Sequence, residues 1–198
     1  MANKKYKDPK KVITGPQTRW SFVHVWEPVK VGDDDNAKLK YSISLIIPKD
    51  DTKTLKAIEK AMQAAYDEGI DKLKSNGRPA PSFKAVKKPL HDGDVDRPDD
   101  EAYANAYYVG ATNQTAPGIV DLERNPIIDR DEVYSGCYGR ASITFCVYNY
   151  KNGMSKGIGC YLNNLQKVSD GEPLGGMRAS AEEDFADDDY DDDDDFLT

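Results

Sequence analysis

Between Lys38 and Ile47 hydrophobic and polar positions alternate. Tyr41, Ile43, Leu45 and Ile47 fall on one side, and Lys38, Lys40, Ser42 and Ser44 on the other. A period of two predicts a strand with one buried face. Ile46 interrupts the polar side, so part of that outer face should be covered. The run from Thr18 to Val31, TRWSFVHVWEPVKV, is β-branched and aromatic and predicts a strand ending near Pro28, with Trp20, Phe22 and Trp26 on its core side. Gly32 to Asn36 reads as a turn, which makes the two strands a hairpin.

After Pro48 the period changes. Leu55, Ile58, Met62, Ala65, Tyr66 and Leu73 recur at three- and four-residue steps, with Asp50, Asp51 or Thr52 placed to cap and Ser75-Asn76-Gly77 placed to stop. This predicts an amphipathic helix of about five turns lying over the sheet. Residues 76–102 are rich in proline and turn residues and read as a loop. Tyr103 to Thr112, Ile119 to Leu122, Val133 to Tyr150 and Gly157 to Val168 read as further strands, the third of them carrying the longest strand signal. Many short strands with one helix predict a mainly β fold, a small barrel with one covering α-helix.

Charge changes the picture at both ends. The last eighteen residues carry eleven carboxylates and no basic residue, and removing them leaves 24 acidic against 27 basic residues. A chain of net charge -8 is therefore a mildly basic body bearing a polyanion. Runs of like charge repel and cannot bury enough surface to fold, so a flexible tail is expected. Residues 1–11 hold Lys4, Lys5, Lys7, Lys10 and Lys11 against Asp8 and read as a basic arm.

Other features exclude functions. No apolar run reaches the ~18 residues of a membrane helix, and no apolar segment follows the basic N-terminus as in a secretory signal. Cys137, Cys146 and Cys160 are odd in number and lack CxxC spacing, which fits reduced thiols in a cytoplasm. P-loop, GxSxG and GxGxxG motifs are absent and the only histidines are His24 and His91, so an enzyme is not expected. Asp92, Asp94 and Asp96 mimic the start of a calcium loop, but Arg97 stands where glycine is required and Tyr103 where a bidentate glutamate is required. An acid cluster extended by Asp99, Asp100 and Glu101 could hold magnesium for a nuclease, but a polar turn is the better explanation. No metal or cofactor is implied.

The strand to Tyr150 is the most informative stretch. Counting by twos, Ala141, Ile143, Phe145 and Val147 read as core, which leaves Tyr138, Arg140, Ser142, Thr144, Cys146, Tyr148 and Tyr150 facing outward. Aromatics at both ends with an arginine between suit unstacked bases, each stacked base being worth roughly 1–3 kcal/mol. Tyrosine is also simply a good half-exposed strand residue. Lys38, Lys40, Lys84, Lys87, Lys88 and Lys156 add cations that could neutralise phosphates.

Several segments carry a family resemblance. They are Lys88-Pro89-Leu90-His91-Asp92-Gly93-Asp94, Tyr134-Ser135-Gly136-Cys137-Tyr138, Lys156-Gly157-Ile158, Leu162 to Val168, and Asp170 to Gly176. With the acidic end they resemble phage and prophage single-stranded DNA-binding proteins built on an OB-fold. The order of elements is also similar to that of podophage replication proteins of the same activity. The resemblance implies an OB-fold-like five-stranded barrel over residues 12–170, preceded by the arm at 1–11 and followed by a flexible linker and acidic tail at 171–198. It implies sequence-tolerant binding of single-stranded DNA in phage replication or recombination, in the host cytoplasm. It further implies a tail that competes for the DNA groove and contacts replication or recombination proteins through Asp191, Asp192, Asp193, Asp194, Asp195 and Phe196. A homodimer is compatible with this reading. The alternative is a phage structural or adaptor protein whose acidic tail binds basic partners.

Overall fold

The computed structural model describes residues 7–31, 38–75, 77–150 and 155–175. The first six residues of the basic arm and the acidic run lie outside the described residues. The strands are β1 (Lys11–Ile13), β2 (Arg19–Lys30), β3 (Leu39–Pro48), β4 (Leu90–Asp92), β5 (Ala106–Asn113), β6 (Gly118–Val120), β7 (Tyr138–Tyr150) and β8 (Ser155–Ser169). Helix α1 (Thr52–Gly69) separates β3 from β4, and a single helical turn, α2 (Gly93–Asp96), follows β4.

Five strands close on themselves in the order β2, β3, β5, β8, β7 and back to β2. The parallel contact of β5 with β8 pairs Thr112 with Tyr161. The last joint pairs Arg19 with Tyr138. There the Trp20 amide donates to the Cys137 carbonyl at 2.9 Å and the Gly139 amide to the Thr18 carbonyl at 3.0 Å. β1 extends the sheet beside β7, β4 lies beside β5, and β6 lies beside β8. Trp20, Ile43, Leu45, Ile47, Val109, Ile143, Phe145 and Leu162 fill the interior. Among the described residues, no helix is long and apolar enough to cross a membrane.

α1 closes one mouth of the barrel with Ile58, Met62, Ala65 and Tyr66. Asp51 caps it, accepting from the Thr54 amide at 3.1 Å, an arrangement typically worth about 1 kcal/mol. At its other end Gly69 lies against Val147, where a Cβ would come within 2.6 Å of the valine side chain. The chain then tightens into a 3-10 turn, Ile70–Leu73, so Leu73 is buried by that turn rather than by the helix.

Four expectations need correction. β2 does not end near Pro28 but runs to Lys30. Its pairing with β3 is interrupted between His24 and Val29, where a residue without an N–H costs no ladder bond. Phe22 does not share the core side with Trp20. A register shift between Ser21 and His24 turns it outward at φ +47°, 51% exposed. Tyr103 belongs to a 3-10 turn, Glu101–Tyr103, capped by Asp100, rather than to a strand. Residues 133–137 form turns, so β7 has 13 residues and β8, with 15, is the longer.

Candidate nucleic-acid interface

The alternation in β3 sends Ile43, Leu45 and Ile47 inward and Ser42, Ser44 and Ile46 outward. On β5 the same register places Thr112 beside Ser42, Gly110 beside Ser44 and Tyr108 beside Ile46. In an OB barrel the second and third strands, here β3 and β5, carry the oligonucleotide-binding face, flanked by the loops after the first and fourth strands. The centre of that face is low: a Cβ added at the exposed Gly110 would meet no atom within 4 Å.

One end of this floor is aromatic and cationic. The segment from β4 to Tyr103 folds over the outer face and covers Ile46, which accounts for the apolar break in the polar side of β3. Tyr103 is buried there, donating its hydroxyl to Ser44 Oγ at 3.2 Å and meeting Tyr108 edge-on with centroids 5.0 Å apart. His91 stacks on Tyr108 at 5.1 Å and 20°. The Arg97 guanidinium lies 5.1, 4.6 and 5.5 Å from the ring centroids of Phe22, Tyr103 and Tyr108. Buried Tyr103 and the edge-on ring contact hold Tyr108 in place, while Phe22 keeps half its surface open. The opposite end carries exposed His24 beside Ser42, then Lys40 and Lys38.

Three acidic residues of the covering segment, Asp92, Asp94 and Asp100, are engaged by Lys49 and Arg97. Lys49 Nζ bridges Asp92 and Asp94, each at 2.7 Å. These contacts, Asp92 first, hold the ammonium well above its ordinary pKa, and the Lys49 hydrogen bond holds Asp94 below the usual carboxylate range. Asp96 contacts His91 Nδ1 at 3.0 Å, and Asp100 lies 3.7 Å from Arg97. The run that mimics a calcium loop is thus a brace, with Asp92 and Asp94 clamped by Lys49 and Asp96 within hydrogen-bond distance of His91.

The residues singled out from sequence fall into three places. Lys38 and Lys40 flank the β3–β5 face, with Lys40 paired to Val29. Tyr148, Tyr150, Lys87 and Lys156 gather at the far end of the β7–β8 hairpin. There Tyr148 covers Gly157 and Gly159, the Lys87 carbonyl accepts from the Ile158 amide at 2.9 Å, and Tyr150 is 57% exposed. Lys156 Nζ donates to the Leu73 carbonyl at 2.8 Å and Ser75 Oγ at 3.0 Å, which ties the hairpin to the end of the 3-10 turn that follows α1. Lys84 is exposed nearby, and Lys88 lies over the Phe83 ring at 4.3 Å. Tyr138 stands apart, with Arg19 5.5 Å from its centroid and Gly171 against its edge. Arg140 faces a groove beside β1. Asp191 to Asp195 and Phe196 lie outside the described residues.

Phe22, His91, Arg97, Tyr103, Tyr108 and Gly110 were not found by counting along strands. Their one sequence signal was the hydrophobic break at Ile46, which announced a cover without saying what supplied it.

A closed five-strand ring with rings and a guanidinium on the outer face of β3 and β5 defines an OB-fold barrel of the polynucleotide-binding class. The chain belongs to the family described as Enterobacter phage Enc34, ssDNA-binding protein, whose model matches residues 10–197. This is a family of DNA-binding proteins rather than of enzymes. A relative, "Putative protein p50" of Acyrthosiphon pisum secondary endosymbiont phage 1, is 28% identical over 175 residues, covering 85% of this chain and 89% of that protein. The single-stranded DNA-binding protein from bacteriophage Enc34, solved in complex with ssDNA, aligns with a TM-score of 0.65 and 27% identity over 84% of this chain and 90% of that one. The bacteriophage T7 single-stranded DNA-binding protein gp2.5 shares the fold, with a TM-score of 0.53 and 15% identity over 96% of this chain and 98% of that one.

Proposed function

We propose that this chain binds single-stranded DNA without sequence preference, along the outer face of β3 and β5. The observation that carries the reading is the low floor at Gly110 beside Phe22, Arg97 and Tyr108. Bases lie flat over the floor and stack against the rings, every base having a π-face. Arg97 supplies charge and a second stacking plane. Lys38, Lys40 and His24 continue the path toward the end of β2 and the start of β3. Tyr150, Lys84, Lys87 and Lys88, near the end of β7 and the start of β8, guide the backbone where the loop after the fourth barrel strand of an OB-fold would meet it. Tyr138, Arg140, Tyr148 and Lys156 serve mainly to shape the barrel, with Arg140 at the margin of the path.

The binder works in phage DNA replication or recombination in the host cytoplasm. Its acidic run, Glu182 to Asp195, is a polyanion on the same chain that competes with DNA for cations and offers replication or recombination proteins a charged handle. Fluorescence anisotropy of a labelled poly-dT oligonucleotide tests the reading. Binding should weaken with salt at a slope of roughly -0.7 per phosphate neutralised, and should exceed binding to a duplex of equal length. Salt-independent binding, or no binding, would overturn it and favour an adaptor protein.

A further inference from the structure

Ile128 is the most exposed large hydrophobic side chain among the described residues, at 84%. It sits in the loop between β6 and β7, and that loop is held in place. The Ile127 amide donates to the Ile119 carbonyl at 2.9 Å, and Ile127 itself packs against the core. Further on, Arg130 pairs with Glu27 at 2.7 Å and the Trp26 indole donates to the Val133 carbonyl at 3.4 Å. Asp129, Asp131 and Glu132 follow Ile128, all exposed, and none of them has an ion-pair partner among the described residues. The loop is an acidic knob with an aliphatic tip. Its shape is already set by the fold, which lowers the ordering cost of docking.

A groove of about 1370 Å³ between β1, the first turn of α1, Leu122 and the outer edge of β7 and β8 has the opposite charge. Ile13 and Leu122 stand 55% and 58% exposed within it, with Val168 half-buried beside them. Lys7, Lys11, Lys53 and Arg140 rim it, and none of them has an ion-pair partner among the described residues. Of the groove's acids, Asp8 accepts from the Lys10 amide and Asp51 from the Thr54 amide, which leaves Asp50. No aromatic ring lines the groove, so a base has nothing to stack on there. Ile128 does not line its own groove, because Arg130 and Trp26 hold its loop against β2. Knob and groove are thus separate patches of one chain, opposite in charge and each with exposed aliphatic surface. Two such patches match in a head-to-tail contact between copies, which builds rings or filaments rather than a two-fold dimer.

We propose that Ile128 of one copy docks between Ile13 and Leu122 of the next, with its acidic neighbours against the lysines and Arg140 of that groove. A contact this small is weak and transient. It gains effect where copies sit side by side on one strand at high effective concentration. The contact stands without the DNA-binding reading, and only its effect on DNA rests on that reading. Sedimentation velocity of the full-length chain up to its highest soluble concentration tests it. Wild type should form species larger than dimers. Ile128→Glu and Leu122→Glu, both changes at exposed positions, should each abolish association with melting temperature preserved; Ile128→Ser and Leu122→Ser repeat the test with smaller changes. Mixed in equal amounts, the two variants should form dimers and nothing larger, because one intact knob meets one intact groove and both outer ends are blocked. A monomeric wild type, single variants that associate like wild type, or a mixture that stays monomeric would overturn the contact. Poly-dT binding by the same preparations separates the two proposals. Each variant should bind a strand long enough for several copies more weakly than wild type, by about fivefold or more, and a one-copy oligonucleotide equally well. Association without DNA binding would refute the DNA reading alone, and long-strand binding equally tight in wild type and both variants would refute the contact alone.

Discussion

Gly110→Val separates folding from binding more cleanly than any other change on the β3–β5 face. Gly110 is exposed, its φ does not lie in the left-handed region, and an added Cβ meets no atom within 4 Å. The folded state therefore accepts a side chain without strain. Removing a glycine from the unfolded ensemble stabilises by about 0.4–1 kcal/mol, and a β-branched residue in a strand adds to that. For a chain of this size the melting temperature should rise by about 1–4 °C. Binding should move the other way. The valine lifts the floor between Tyr108 and Thr112, and a base that lay flat there loses its seat. One stacked base is worth about 1–3 kcal/mol, so affinity for poly-dT should fall by about five- to 150-fold. Anisotropy titration beside a thermal melt measures both. Unchanged affinity would refute the placement of the strand on this face. Weaker binding with a lowered melting temperature would show that the open space at Gly110 had been misjudged.

Phe22→Gly applies the same logic from the opposite direction. Phe22 holds φ +47°, where a residue with a Cβ pays about 1 kcal/mol that glycine does not, which offsets the lost contact with Arg97. The melting temperature should stay within about 4 °C of wild type while DNA affinity drops by about five- to 150-fold; loss of both would make Phe22 a structural residue. Gly139→Ala should instead destabilise, by about 1–3 kcal/mol, because its Cβ would lie 2.5 Å from the Gln166 carbonyl oxygen and still closer to the Trp20 ring. A melting temperature equal to wild type would contradict the packing at the β2–β7 joint. Asp94 is held below its ordinary 3.8 by the Lys49 ammonium and then by the Asn105 amide. Its contribution is whole above that value and is lost as pH falls through the lower folded pKa. Asp94→Asn should therefore melt below wild type at neutral pH, with the gap closing under acid; a gap that widens on acidification would refute the brace.

Much of the barrel was legible because period and burial agree over long runs. The alternation of Ile43, Leu45 and Ile47, and of Ala141, Ile143 and Phe145, identified the inward faces of β3 and β7. The three- and four-residue recurrence through Ile58, Met62 and Ala65 identified the helix, and of the three candidate caps, Asp50, Asp51 and Thr52, the structure uses Asp51. The candidate site was less legible, because single irregularities and distant segments build it. Phe22 left the core through a register shift that strict counting cannot see. His91, Arg97 and Tyr103 reach the face because a segment rich in turn residues folds back over β5, a tertiary event with no local period. The outward tyrosines of β7 were placed on the correct side, but packing uses two of them: Tyr138 against Arg19 and Gly171, and Tyr148 over two glycines. Lys156 likewise has its ammonium tied to the 3-10 turn that follows α1. A basic residue in a turn carries no mark that distinguishes a cap from a phosphate contact.

The central claim is that DNA lies across β3 and β5 against Phe22 and Tyr108. Photocrosslinking of a 5-bromodeoxyuridine oligonucleotide to the full-length chain, with the adducts located by mass spectrometry, tests it most directly. The account predicts adducts on Phe22, His91 or Tyr108. Adducts confined to Tyr148 and Tyr161, on the outer face of β7 and β8, would contradict it.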